Sequence, residues 1–188
     1  MISTTRNKSI SLDEFLRQPE TKPVCEYIDG EIQEKPVPKG KHSLLQTRLS
    51  ARINQIAEPS KLGFALTELR CTFGERSLVP DIAVFYWQNI PLDEDGEIAN
   101  QFDKPPDWTI EILSPEQRQT RVIRNIVLCL NSGTELGWLI DPQELMILVF
   151  QSGQQPEIKQ GDDEVPGLKK LTHWTMSANQ IFDLLKFN

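Results

Sequence analysis

A mixed α/β fold, with a central β-sheet flanked by helices, is the architecture this sequence predicts. Leu45, Leu49, Ile53 and Ile56 recur at helical spacing, which makes an amphipathic helix with one apolar side. Trp108, Ile110 and Ile112 alternate with Thr109, Glu111 and Leu113. That period of two marks a strand whose first set faces a core and whose Glu111 lies on the other face. Asp29-Gly30 separates two short alternating runs, the strongest local hairpin signal in the chain because both residues tolerate the positive φ of a tight turn.

The elements follow in order. Ser11 with Glu14 three residues later is a capping box and starts a short helix through about Arg17, ahead of Pro19. The stretch VCEYIDGEIQEKPVP forms the hairpin. After a PKGK loop comes the long helix, His42 to Ala57, ending before Pro59. Two strands are expected near Gly63–Phe73 and Leu78–Tyr86, and the proline- and acid-rich stretch from Gln88 to Pro106 reads as an exposed connection. The strand at 108–113 stops at Ser114-Pro115, where Pro115 suits the first turn of a helix to about Leu130 with Ser114 as its cap. NSGTE breaks that helix, strands LGWLID and LMILVFQ follow around Pro142-Gln143, and a last helix covers about Ala178–Leu185.

A chain of 188 residues fits one domain, taken as 1–188, with enough length to close a single core. Its 38% hydrophobic and 25% charged residues are those of a globular protein, and the longest apolar run, LMILVF, is far too short to cross a bilayer. No apolar signal-peptide core opens the sequence, so a cytoplasmic location and no membrane partner are expected. Cys25, Cys71 and Cys129 have no CxxC or Cys/His spacing and read as small buried residues rather than a disulfide or zinc framework. The formal charge of −7 disfavours non-specific nucleic-acid binding, yet its distribution is uneven. Lys39, Lys41, Arg48 and Arg52 form an acid-free run, Arg118, Arg121 and Arg124 form a second, and acids gather at 92–97 and 161–164. These runs are either a local basic face on an acidic body or ordinary solvated helix surfaces.

Two acids attract attention. Asp81 follows Pro80 and opens a run of β-branched and aromatic residues, and Glu111 interrupts another. Magnesium is commonly held by one or two carboxylates, with water and substrate phosphate completing its shell. If the two strands are neighbours, Asp81 and Glu111 converge, with the backbone carbonyl of Ile112 as a further oxygen ligand. The alternative is a pair of structural acids, each matched to an arginine or a backbone group. Trp87, Trp108 and Trp138 are expected to pack the sheet or its rim rather than stack on bases. Asp141 is expected to start a turn, and His173 carries no role.

VPDIAVF, PPDWTIEILSP and GWLIDP, preceded by SLDEFL, CEYIDGEI and PKGKHSLLQ, resemble in order the Uma-two family of restriction endonucleases, catalogued in cyanobacteria as a domain of unknown function. That family lies within the PD-(D/E)XK nuclease superfamily. The resemblance is strongest over 11–150 and implies a restriction-endonuclease-like fold. By position Asp81 corresponds to the superfamily's first acid and Glu111 to its second, which implies that they bind Mg (or Mn). Glu26 matches a family glutamate before the IDG turn that would assist the metal site or orient water, and His42 matches a histidine opening the first long helix. Without the resemblance, Glu26 reads as an exposed strand acid and His42 as a capping or packing residue.

The sequence departs from the superfamily at its lysine. Leu113 occupies the usual position, and the following helix offers Arg121, Arg124 and Asn125. Arg118, Arg121 and Arg124, spaced by three, share one side of a helix. Arginine can hold phosphate but stays protonated. The sequence therefore supports a DNA endonuclease in which Arg121 and Arg124 steady the phosphate, with Lys39, Lys41, His42 and Arg118 contacting nucleic acid. It leaves open a catalytically inactive nuclease-fold protein that binds nucleic acid or protein. A third reading is a regulatory protein that assembles as a homodimer.

Overall fold

The computed structural model describes residues 10–115 and 117–187. In chain order these form α1 (Leu12–Leu16), β1 (Cys25–Ile28), β2 (Glu31–Glu34), α2 (Gly40–Ala57), β3 (Gly63–Thr67), β4 (Cys71–Phe73), β5 (Arg76–Leu78) and β6 (Ile82–Tyr86). A 3₁₀ turn (Trp87–Asn89) precedes β7 (Trp108–Ile112), α3 (Gln119–Asn131), β8 (Leu136–Asp141) and β9 (Met146–Gln151). The chain closes with β10 (Glu157–Gln160), β11 (Glu164–Val165), β12 (Met176–Ser177) and α4 (Ala178–Asp183).

Two sheets position the chemistry. The larger has strand order β10-β9-β8-β7-β6-β3, with β7 and β8 parallel and joined through α3. The smaller has the order β2-β1-β5-β4. Residues 79–81 link β5 to β6, so Val79, Pro80 and Asp81 cross from the small sheet to the large one.

Both faces of β7 are buried, as expected for a strand between a parallel and an antiparallel neighbour with helices above and below. Trp108, Ile110 and Ile112 join α2 residues Leu45, Leu49 and Ile53 in one core. Trp108, Trp138 and Trp174 meet edge-on or tilted in that core, with the Trp108 and Trp138 ring centroids 4.5 Å apart. On the opposite face, Val122 and Ile126 of α3 pack on Leu139 and Phe150. Glu111 therefore belongs to the α3 side, as its parity predicts.

The hairpin forms at Asp29 and Gly30, whose φ values of 51° and 87° are those of a tight turn between β1 and β2. Both expected strands near Asp81 are interrupted. The first breaks into β3 and β4, with Glu68 at a φ of 53° between them. The second breaks into β5 and β6, because the backbone of Val79 is bonded by side chains of the small sheet instead of a strand partner. The third helix starts at Gln119 rather than at Pro115, and Ser114 does not cap it. Ser114 instead places its hydroxyl 3.2 Å from His42 Nδ1. The stretch 88–106 is anchored, not merely exposed: Phe102 is buried against Phe85, with ring centroids 4.9 Å apart. Cys71 and Cys129 are buried, whereas Cys25 is partly exposed. Trp87 is also exposed, at the surface rather than within the sheet. Asp141 accepts from the amides of Gln143 and Glu144, the expected turn, and α4 ends at Asp183, earlier than the expected Leu185. Among the described residues no helix is long and apolar enough to cross a membrane.

Candidate active site

At the seam between the sheets lies a buried charge cluster. Lys35, immediately after β2, is 6% exposed and points inward. Its Nζ stands 2.6 Å from Asp81 Oδ1 and 3.5 Å from Glu111 Oε2, and it donates to the Val79 carbonyl at 2.5 Å. Asp81, 1% exposed, accepts on Oδ2 from the Ile112 amide at 2.7 Å. Its Oδ1 also faces His42 Nε2 at 3.3 Å. Glu26, on β1, accepts from the Val79 amide at 3.0 Å and from Asn125 Nδ2 of α3 at 3.1 Å. Gln46 of α2 donates to the Asp81 carbonyl at 2.7 Å. Residues 79–81 are thus clamped by groups from β1, β2, α2 and β7.

Burial alone would raise the Asp81 pKa, but the Lys35 ammonium and the His42 ring outweigh it and bring the carboxyl down to about 2. For Lys35 burial would favour the neutral amine, and the charges of Asp81, Glu111 and Glu26 reverse that, holding it well above the ordinary lysine value. Lys35 is therefore a cation and hydrogen-bond donor at neutral pH, not a base. Glu111 is pushed well above the carboxylate range by burial, against the pull of Lys35 and with the negative charges of Asp81 and Glu26 adding to the rise.

Whether a divalent ion suits these residues turns on their donor chemistry. Carboxyl oxygens from Asp81 and Glu111, both hard donors, meet at one nitrogen, and the raised Glu111 pKa marks a place where a further positive charge is favoured. Asp81 Oδ1 has no hydrogen-bond partner of good geometry and is faced by the Lys35 ammonium and the His42 ring. Among the described residues no three His, Cys, Asp or Glu side chains form a ready cage. A two-carboxylate site for a magnesium-like ion, which keeps much of its own water, fits this arrangement.

The structure distributes the remaining sequence candidates around this cluster. Glu26 and His42 are buried inside it rather than exposed on a strand or helix end. Ile112 presents its amide to Asp81. Arg121 and Arg124 are not among the acids: Arg121 donates to the Glu34 carbonyl at 2.9 Å and Arg124 to Gln33 Oε1 at 3.2 Å, so both brace the edge strand β2. With Arg118 they line an open concavity of about 410 Å³. Lys39 and Lys41 stand on the exposed start of α2.

Lys35 is the functional group that no local pattern in the sequence marks. The positions after the second acid hold Leu113 and Asn125, and Asn125 instead holds Glu26. The hairpin register carried the missing signal. Glu26 pairs with Gln33, and pairing continues to the Lys35 amide on the Val24 carbonyl at 2.9 Å. Residues opposite one another in an antiparallel pair share a face, so Lys35 lies diagonal to Glu26 on the same side of the hairpin. Gln46 and Ser114 carry no comparable pattern.

No curated protein matches the chain. A crystal structure of a putative nuclease belonging to DUF820 from Anabaena variabilis superposes with a TM-score of 0.92 at 49% identity, covering 94% of this chain and 99% of that one. That likeness gives the present fold its class, restriction-endonuclease-like. The family model Uma2, described as Putative restriction endonuclease, matches residues 12–179, and the chain belongs to that family.

Proposed function

We propose that this nuclease-family chain is a metal-dependent endonuclease that hydrolyses DNA phosphodiester bonds at the cluster of Glu26, Lys35, Asp81 and Glu111. The observation that carries the reading is Lys35 Nζ at 2.6 Å from Asp81 and 3.5 Å from Glu111, which supplies from just beyond β2 the lysine that the sequence lacks after Glu111. Asp81 and Glu111 are the residues that would hold Mg or Mn, and a bound ion there supplies neutralising charge for the phosphate and a lowered pKa for water. The protein's own groups do the rest. Lys35, kept protonated by its three acids, donates to a non-bridging phosphate oxygen and stabilises charge that develops during attack by water. His42 and the Ile112 amide fix the two oxygens of Asp81, and Asn125 and the Val79 amide fix Glu26. The arginine concavity beside β2 attracts the neighbouring backbone of the strand, with Lys39 and Lys41 extending the basic surface.

Cleavage of plasmid DNA and of single-stranded oligonucleotides with Mg²⁺ or Mn²⁺ tests the proposal. The wild type should cut, and Asp81→Ala and Lys35→Ala should each lose at least about 10²-fold in rate. A folded wild type that cuts neither substrate under either metal would instead support an inactive nuclease fold that binds nucleic acid or protein. Cleavage retained by Asp81→Ala would move the site elsewhere.

A further inference from the structure

A second cavity opens beside the charge cluster, and the mechanism above does not use it. It encloses about 360 Å³, within the range of small-molecule pockets. Pro23, Val24, Pro36 and Val37 form its walls, Lys35 lines it, and Glu68 stands at its polar side. The walls come from the segments flanking the hairpin, where prolines fix the backbone and leave flat apolar surface. Val37 is 66% exposed, apolar area open to a ligand. Because Lys35 lines this pocket and also contacts Asp81, the pocket adjoins the charge cluster.

Glu68 is the acid of the pocket, whose other polar residues are Thr21, Lys22 and Lys35. It adopts a φ of 53°, a left-handed conformation that costs a non-glycine residue energy and is retained where surrounding bonds enforce it. Its amide donates to the Asp81 carbonyl at 3.2 Å, and its Oε1 accepts from Gln46 Nε2 at 3.2 Å. Gln46 also holds the Asp81 carbonyl, so the carboxylate is tied to the same backbone unit as the first catalytic acid. A second carboxylate at this place repels phosphate and accepts hydrogen bonds from N–H groups.

Resting on the nuclease reading, we infer that this pocket is a subsite for one unpaired nucleobase next to the reacting phosphate, with Glu68 selecting bases that present N–H donors. Proline and valine walls take the flat ring, and Glu68 takes its Watson–Crick edge, which is free only in single-stranded or opened substrate. Guanine, with N1–H and N2–H side by side, suits a carboxylate best. Cytosine and adenine offer one amine each. Thymine, whose N3–H lies between two carbonyl oxygens, suits it least. Glu68 is thereby a specificity-determining residue, and the substrate class is a strand with an unstacked base at the cut.

The test is methyl NMR of the intact protein in EDTA, following Val24 and Val37 during titration with d(TpG), d(TpC), d(TpA), d(TpT) and a dinucleotide with an abasic second residue. The valine methyls should shift with d(TpG) at an affinity about fivefold or more above d(TpT), and the abasic compound should leave them unmoved. Glu68→Gln should bring d(TpG) and d(TpT) within about twofold of each other while the remaining methyl spectrum is unchanged. Valine shifts that are absent, or equal for the abasic compound, would overturn the subsite. Equal shifts for d(TpG) and d(TpT) in the wild type would overturn the role of Glu68. The two readings fail separately: cleavage without valine shifts removes the base subsite and keeps the nuclease, and valine shifts without metal-dependent cleavage do the reverse.

Discussion

Lys35→Met is the most informative perturbation of this molecule, because methionine nearly matches the lysine stem and removes only the charge. In the wild type the ammonium is in contact with Asp81 and Glu111 and within the field of Glu26. Removing one partner of a buried ion pair costs about 3–5 kcal/mol, since the other charge stays behind without compensation. At about 2–4 °C per kcal/mol for a domain of this size, the midpoint of thermal unfolding should fall by roughly 6–20 °C. The penalty must also depend on pH, and its sign follows from proton binding. In the wild type Asp81 titrates at about 2, below its unfolded value of 3.8, so its stabilisation is present above pH 3.8 and is lost as pH falls through 2. In the variant the depressing cation is gone, so burial and the neighbouring acids raise the pKa of Asp81 and lift that of Glu111, already high in the wild type, further. The folded variant then binds more protons than the unfolded chain, and its stability falls as pH rises. Urea unfolding followed by the fluorescence of the buried tryptophans, at about pH 5 and about pH 8, reads the difference. The loss should be largest near pH 8 and shrink toward pH 5. A loss below about 1 kcal/mol, or one independent of pH, would refute the account of Lys35 as the countercharge of three acids.

Further outcomes are expected. Millimolar Mg²⁺ or Mn²⁺ should raise the unfolding midpoint of the wild type in proportion to the logarithm of metal concentration and leave that of Asp81→Ala unmoved, a scan that separates metal binding from catalysis. Cys25 should alkylate in the native protein long before Cys71 and Cys129, because burial pushes the Cys71 thiol up to about 12 and that of Cys129 well above its usual value; mass spectrometry of the first adduct decides it. Gly137→Ala should cost about 1–3 kcal/mol, measured by urea unfolding, since an added Cβ on β8 collides with the Ile126 side chain of α3.

How much of this was legible depended on whether the determinant was local. The Asp29-Gly30 turn, the apolar stripe of α2 and the parity of Glu111 are properties of short stretches, and the structure reproduces them. The interruption at residues 79–81 is not local. Val79 has its amide bonded by Glu26, more than fifty positions earlier, and its carbonyl bonded by Lys35, so a run that looks like one strand becomes two. Ser114 has the chemistry of a helix cap, but its hydroxyl lies against His42, and the helix begins beyond it. Phe102 was hidden by its acid-rich surroundings, which describe the solvent side of the loop and say nothing of its anchor. Lys35 required carrying the hairpin register past the last obvious strand residue and then docking that hairpin on the larger sheet.

The hairpin that delivers Glu26 and Lys35 is held in place mainly by side chains. Its two strands are four residues each, β2 is an edge, and its strand pairing to the rest of the small sheet is that of Tyr27 with Ser77, so Arg121 and Arg124 on β2, Asn125 on Glu26 and Lys35 on the acids carry much of its docking. Such a unit is marginal alone and opens at lower free energy than a core built on Trp108 and Trp138. When it lifts away, the lysine and one acid leave together while the larger sheet keeps its fold. The proposed site is therefore all or nothing: a chain whose hairpin has opened carries no half-working site.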